Sequence, residues 1–103
     1  MNIRIINLHF YTPIPGEILI KVDRSSILGN PFRMHSKLER DEVCDKYEKY
    51  FNNKVGTSLN FDRALDDIGN TLRISNVALG CWCSPKRCHA ETIIKHIKLE
   101  GKV

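Results

Sequence analysis

Residues 76–83 of this 103-residue chain read NVALGCWC, and SPKRCH follows at 84–89. Eight consecutive residues without a charge suit a strand covered on both faces, as strands of parallel sheets are. Parallel neighbours need crossover connections, so helices should alternate with strands elsewhere in the chain. Behind the strand, Ser84 to Arg87 reads as a loop carrying a proline and two cations. Cys88 and His89 then fall at the start of a last helix, where Ala90, Ile93, Ile94 and Ile97 make one apolar stripe and Gly101 is a natural stop.

Working outward, IRIINLHF at 3–10 reads as a strand ended by the Pro13, Pro15 and Gly16 of TPIPG. EILIKV at 17–22 reads as a second. DRSSILGNPF at 23–32 is irregular, with a turn at Gly29-Asn30-Pro31 and room for one short strand around 24–34. Ser36 and Glu39 have the spacing of a capping box, and Val43, Cys44, Tyr47, Tyr50 and Phe51 share one face of the helix behind them. Phe61, Leu65, Ile68 and Leu72 align on a second helix over 61–72. The expected fold is a single small layered α/β domain over 1–103, with a short, partly parallel sheet flanked by about three helices.

Composition narrows the class. Hydrophobic residues at 42% and charged ones at 27% belong to an ordinary soluble domain. No apolar run approaches the roughly 20 residues that cross a bilayer, and MNIRIINLHF lacks the pattern of a signal peptide, so the expected location is the cytoplasm, with no membrane partner. The net charge of +4 favours an anionic partner, although no block of five cations occurs. Four cysteines in such a chain are expected to be reduced.

Three readings of 81–89 stand side by side. In the first, the strand delivers its chain to a sheet edge where helix N–H groups bind anions. Ser84, Lys86 and Arg87 would hold a phosphate, and His89 would act as donor or acid–base group. Cys88, beside the same helix tip, would have its thiol pKa lowered towards a nucleophilic thiolate. In the second, Cys81, Cys83, Cys88 and His89 bind zinc; the residue types suit a tetrahedral site, but the C-x-C and C-H spacings differ from those of knuckle pairs. In the third, Cys81 and Cys83, which alternation places on one face opposite Trp82, simply fill the core.

LGNPF at 28–32 and CWCSPKRCH at 81–89 together resemble the signature of domain of unknown function family 4326, found in bacteriophages, bacteria and mobile elements. The pattern, an Arg before a GNPF turn, an Arg opening a Tyr-bearing helix, then C-W-C-x-P-x-x-C-H, falls on Arg24, Gly29, Asn30, Pro31, Phe32, Arg40, Tyr47, Cys81, Trp82, Cys83, Pro85, Cys88 and His89. The C-terminal motif is also similar to domain of unknown function family 488, whose C-H-R places an Arg where this chain has Ala90. The resemblance implies an intracellular α/β domain, in the host cytoplasm if phage-encoded, and assigns no reaction. These groups are expected to frame one pocket, with Arg24, Gly29, Asn30, Pro31 and Phe32 on one wall and the 84–89 loop and helix end on the other. Arg40 would converge on the same edge, and Cys83 is a further ligand-binding candidate.

The functional expectation is therefore a nucleotide-, nucleoside- or nucleic-acid-directed ligand-binding domain, extending to an enzyme acting on a glycosidic or phosphate group. His89 and Cys88 would be its catalytic candidates, and no cofactor is needed. The alternative is a non-catalytic module, either stabilised by zinc or binding a host protein. Neither the substrate nor the oligomeric state can be read from these residues.

Overall fold

The computed structural model describes residues 1–83 and 86–99. Within them the chain forms strand β1 (Ile3–Asn7), strand β2 (Glu17–Lys21), helix α1 (Arg40–Lys54), helix α2 (Leu59–Leu72), strand β3 (Asn76–Cys81) and helix α3 (Ala90–Leu99). The sheet is wholly parallel, in the order β1-β3-β2. Ile3 lies opposite Val77 and Asn7 opposite Cys81 on one side of β3; Glu17 lies opposite Asn76 and Lys21 opposite Gly80 on the other. The central position explains the uncharged sequence of β3: Val77, Ala78, Leu79, Gly80 and Cys81 are all buried.

One sheet face carries the core. Val77, Leu79, Cys81 and Val22 pack with Tyr47 and Phe51 of α1, Phe61, Leu65 and Ile68 of α2, and Ile93 and Ile97 of α3. Ile3, Ile5 and Ile20 border this cluster. The opposite face has no helix among the described residues. There Arg4 pairs with Glu17 at 2.8 Å, and Leu8 lies over Gly80, where a β-carbon would stand 2.6 Å from the Leu8 Cδ2. No described helix is long and apolar enough to cross a membrane.

Several boundaries differ from the sequence expectation, each for a local reason. The strand expected over 3–10 stops at Asn7, whose side-chain oxygen accepts from the His9 N–H at 2.9 Å and turns the chain. The strand expected over 76–83 stops at Cys81, and the Trp82 carbonyl accepts from the Asn7 side chain at 3.3 Å instead of from a strand. No strand forms around 24–34. The chain there is bends and turns. Ser36 does not cap: its hydroxyl makes no capping bond, and a 3₁₀ turn at Lys37–Glu39 leads into α1. The Glu39 carboxylate does reach back, but to the His35 N–H at 3.2 Å. Helix α2 starts two residues early because the Ser58 hydroxyl accepts from Phe61 N–H at 3.4 Å. Gly101, the expected helix stop, lies outside the described residues.

The reciprocal cap that the sequence places at Ser36 is found at α3, with a thiol in the role of the hydroxyl. The Cys88 sulfur accepts from the Ala90 N–H at 3.3 Å, and the Glu91 carboxylate accepts from the Cys88 N–H at 3.0 Å. Cys-x-x-Glu takes the place of Ser-x-x-Glu. This fixes where His89 sits.

Candidate functional site

A cavity of about 360 Å³ opens where the carboxyl ends of β2 and β3 meet the start of α1 and the cap of α3. Its size is within the roughly 300–1,000 Å³ usual for small-molecule sites, and its place is where open parallel sheets bind ligands. One wall is the 23–34 segment, with Asp23, Arg24, Asn30 and Phe32; another is α1, with Arg40 and Cys44; the third is Trp82, Cys83, Arg87, Cys88 and His89.

The 23–34 wall is tied to itself. The Arg24 guanidinium donates to the Asn30 and Phe32 carbonyls at 3.2 and 3.3 Å, and the Asn30 side-chain oxygen accepts from the Phe32 N–H at 2.9 Å. Gly29 supplies space. A β-carbon there would come within 2.3 Å of the Asp23 carbonyl oxygen and 2.7 Å of the Arg24 Cα. It is buried under those residues and does not line the cavity, and Pro31 is exposed and does not line it either.

Asp23 joins the two ends of the site. One carboxylate oxygen accepts from the Ser25 N–H at 3.1 Å and from the Ser25 hydroxyl, and the other accepts from the Trp82 indole N–H at 3.0 Å. These bonds, the Ser25 hydroxyl first, hold the carboxyl below its usual range, so it is ionised at neutral pH. Trp82 is 59% exposed. The indole thus stands as an open aromatic wall, fixed at its nitrogen. Strand alternation already placed Trp82 opposite Cys81, but the carboxylate that holds it is out of reach of any local pattern.

The arginines divide by partner. Arg87 donates to the Asp41 and Asp45 carboxylates at 3.0 and 2.8 Å, and this pair raises its pKa further. Its guanidinium is thus paired with α1, while the residue also lines the cavity where it was expected to hold an anion. Arg40 donates to the Arg87 carbonyl at 3.2 Å, and Arg24 only to carbonyls. Among the described residues neither has a carboxylate within ion-pair range, whereas Arg4 and Arg87 do. Lys86 is exposed and off the cavity wall, and Ser84 and Pro85 lie outside the described residues.

Two of the cysteines form a buried pair. Cys81 and Cys88 are 1% and 3% exposed, and the Cys88 thiol donates to the Cys81 sulfur at 3.3 Å. That bond and burial push the Cys88 thiol up, outweighing the Ala90 N–H that draws it down. The lowered, nucleophilic thiolate expected at this helix tip is therefore replaced by a neutral capping thiol. Cys44 is likewise raised by burial and donates to the Arg87 carbonyl at 3.8 Å. Among the described residues no group of three or more His, Cys, Asp or Glu is arranged to hold a metal ion. Of the four zinc candidates, Cys81 and Cys88 meet sulfur to sulfur, and the His89 ring is hydrogen-bonded to the Val22 carbonyl.

Residues 12–99 match a family described as a domain of unknown function, DUF4326. The chain belongs to that family. No curated protein and no solved structure matches it. Of the positions that carry the family resemblance, Arg24, Asn30, Phe32, Arg40, Trp82, Cys83, Cys88 and His89 converge on the cavity. Gly29 and Tyr47 support it from behind.

His89 is 7% exposed; its Nε2 is hydrogen-bonded to the Val22 carbonyl, and Tyr47 packs edge-on at 4.9 Å. A carbonyl only accepts, so Nε2 carries the proton. Burial is the largest influence on the ring and lowers its pKa; the Val22 carbonyl and Asp23 raise it, and Arg24 lowers it. His89 is thus neutral at pH 7; its N–H is committed to the Val22 carbonyl, so of the expected donor and acid–base roles the donor is already occupied within the fold. The consequence for stability has a definite sign. Below the ordinary value of 6.5 the unfolded chain takes up a proton that the folded ring resists, so this contribution is intact above about pH 7 and is lost as pH falls. Denaturation midpoints should drop between pH 7 and 5, with a slope of up to about 1.4 kcal/mol per pH unit from this group. His89→Gln should flatten that slope. The Asp23 contribution is lost only lower, around and below its ordinary 3.8. An equal slope in His89→Gln would show that the imidazole is charged in the fold.

Proposed function

We propose that this domain binds a nucleotide in the cavity, with the base against Trp82 and Phe32 and the phosphate between Arg24 and Arg40. The observation that carries the reading is the pair of arginines without carboxylate partners among the described residues, set beside an otherwise largely apolar cavity. A ligand that fits must be anionic at one end and flat and apolar at the other. A nucleotide meets both requirements, whether free or at an accessible place in a nucleic acid.

The magnitudes support a modest affinity. Stacking of a base on an aromatic side chain contributes about 1–3 kcal/mol, and a charge-assisted bond from each arginine about 1.5–3 kcal/mol. After the cost of association, a dissociation constant of about 1 μM to 1 mM is expected. The reading is one of binding. Burial raises the Cys44 thiol, the bond to Cys81 and burial raise that of Cys88, and the His89 N–H is engaged, which favours binding over chemistry at these three groups.

Trp82 is the single tryptophan of the chain, and its fluorescence reports on this wall directly. Titration with the four 5′-ribonucleoside monophosphates should give saturable quenching and a rise in melting temperature for at least one of them. Arg40→Ala should weaken that binding about tenfold or more, as expected when one charge-assisted bond is lost. Failure of every mononucleotide, and of short single-stranded oligonucleotides, to change either signal would overturn the reading.

A further inference from the structure

The His89 ring has one nitrogen with no hydrogen-bond partner among the described residues. Its Nε2–H is held by the Val22 carbonyl. Its face is fixed by Tyr47, which cannot swing because its hydroxyl donates to the Leu28 carbonyl at 2.7 Å. In this tautomer Nδ1 carries a lone pair and can only accept. No described residue donates to it, yet no buried side-chain nitrogen or oxygen among the described residues is both sealed from solvent and unpartnered. The Nδ1 of this 7%-exposed residue must therefore open onto the cavity that His89 lines.

We infer that Nδ1 of His89 is the specificity-determining acceptor of the cavity, and that the ligand's planar ring presents an edge N–H to it. The inference rests on the nucleotide reading and narrows it. Arg24 is exposed and Arg40 half-buried, whereas His89 is buried, so the anionic end of the ligand lies towards the open side and the base edge points inward. An inward base meets a wall that offers a lone pair at Nδ1. A ring edge carrying an amino or imino N–H pairs with it. An edge of bare ring nitrogens, carbonyls or C–H groups leaves Nδ1 without its bond.

The consequence is selectivity by satisfaction. A desolvated acceptor left without a donor costs about 1–3 kcal/mol, or roughly 5- to 150-fold in affinity. A site built around such a group discriminates more sharply against a missing donor than an apolar pocket discriminates by size. Phosphate and stacking contacts would be the same for both ligands, so the difference isolates the His89 contact.

The test uses the whole chain and Trp82 fluorescence. The tightest of the four 5′-ribonucleoside monophosphates is compared with an analogue in which every base N–H is removed or methylated; for adenosine monophosphate this is the 6-unsubstituted purine ribotide. Wild type should bind the parent at least about fivefold more tightly than the analogue. His89→Gln can still donate an amide N–H to Val22 but lacks an acceptor at the Nδ1 position, and should bind both alike. His89→Asn, whose amide oxygen lies near the Nδ1 position, should keep part of the preference. Equal binding of parent and analogue by wild type overturns this inference and leaves the nucleotide reading standing, as does a preference that survives unchanged in His89→Gln. If none of the four nucleotides binds, the nucleotide reading fails and the inference falls with it. Should either variant fail to fold, the wild-type comparison alone decides.

Discussion

Gly29→Ala is expected to be strongly destabilising, more so than Gly80→Ala. Its β-carbon would stand 2.3 Å from the Asp23 carbonyl oxygen, 2.7 Å from the Arg24 Cα and 2.8 Å from the Asp23 carbonyl carbon. All three are backbone atoms, so no side chain can rotate out of the way. Gly80→Ala offers the contrast: its nearest contacts are the tips of Leu8 and Leu19, which can yield. Overpacking typically costs about 1–3 kcal/mol and more where the backbone must move, so about 3 kcal/mol or more is expected for Gly29→Ala and about 1 kcal/mol for Gly80→Ala. Against a total stability of about 5–15 kcal/mol, the first is a large fraction. The damage would reach the site as well. Shifting residues 23 and 24 moves the carboxylate that holds the Trp82 indole and the guanidinium that stitches the GNPF turn. Urea denaturation followed by Trp82 fluorescence reads both effects, and a Gly29→Ala protein with the wild-type midpoint would refute this packing.

The second large effect is expected at Tyr47, which is fully buried on α1. Its ring lies 4.9 Å from that of His89 and 6.0 Å from that of Phe51, and its hydroxyl donates to the Leu28 carbonyl at 2.7 Å. Truncation to alanine removes the ring and leaves a cavity behind the histidine, at a cost of about 3–5 kcal/mol. Tyr47→Phe keeps the ring but strands a buried carbonyl, at about 1–3 kcal/mol. Chemical denaturation should therefore rank wild type above Tyr47→Phe and Tyr47→Phe above Tyr47→Ala. If the phenylalanine variant matched wild type, the Leu28 carbonyl would have to find water, and the loop would be looser than described. Both predictions concern the same joint, where the 23–34 segment rests on α1 and together they hold the imidazole.

The parts legible in the sequence were those set by neighbours in the chain. The uncharged stretch at 76–83 marked the central strand, and the steps of three and four through Cys44, Tyr47 and Phe51 marked the buried face of α1. Alternation put Cys81 and Trp82 on opposite faces, but that Trp82 is 59% exposed rather than packed under a helix was not legible. The family pattern brought Arg24, Asn30, Phe32 and Arg40 to the same edge as His89, where the cavity lies. The capping boxes show the limit of such signals. Ser36 and Glu39 had the right spacing without the cap, while Cys88 and Glu91 formed one with a residue type not usually read as a cap.

What the chain's order alone determined was an α/β domain with a buried parallel strand leading to a cysteine- and histidine-bearing helix tip, because periodicity and alternation are properties of consecutive residues. What only the tertiary structure decided was the chemistry of that tip. Arg87 is neutralised by carboxylates 42 and 46 positions away, Cys88 is kept protonated by Cys81, and His89 takes its tautomer from a carbonyl 67 positions away. Charge, proton position and hydrogen-bonding sense depend on which groups meet in space, and no local spacing encodes those meetings.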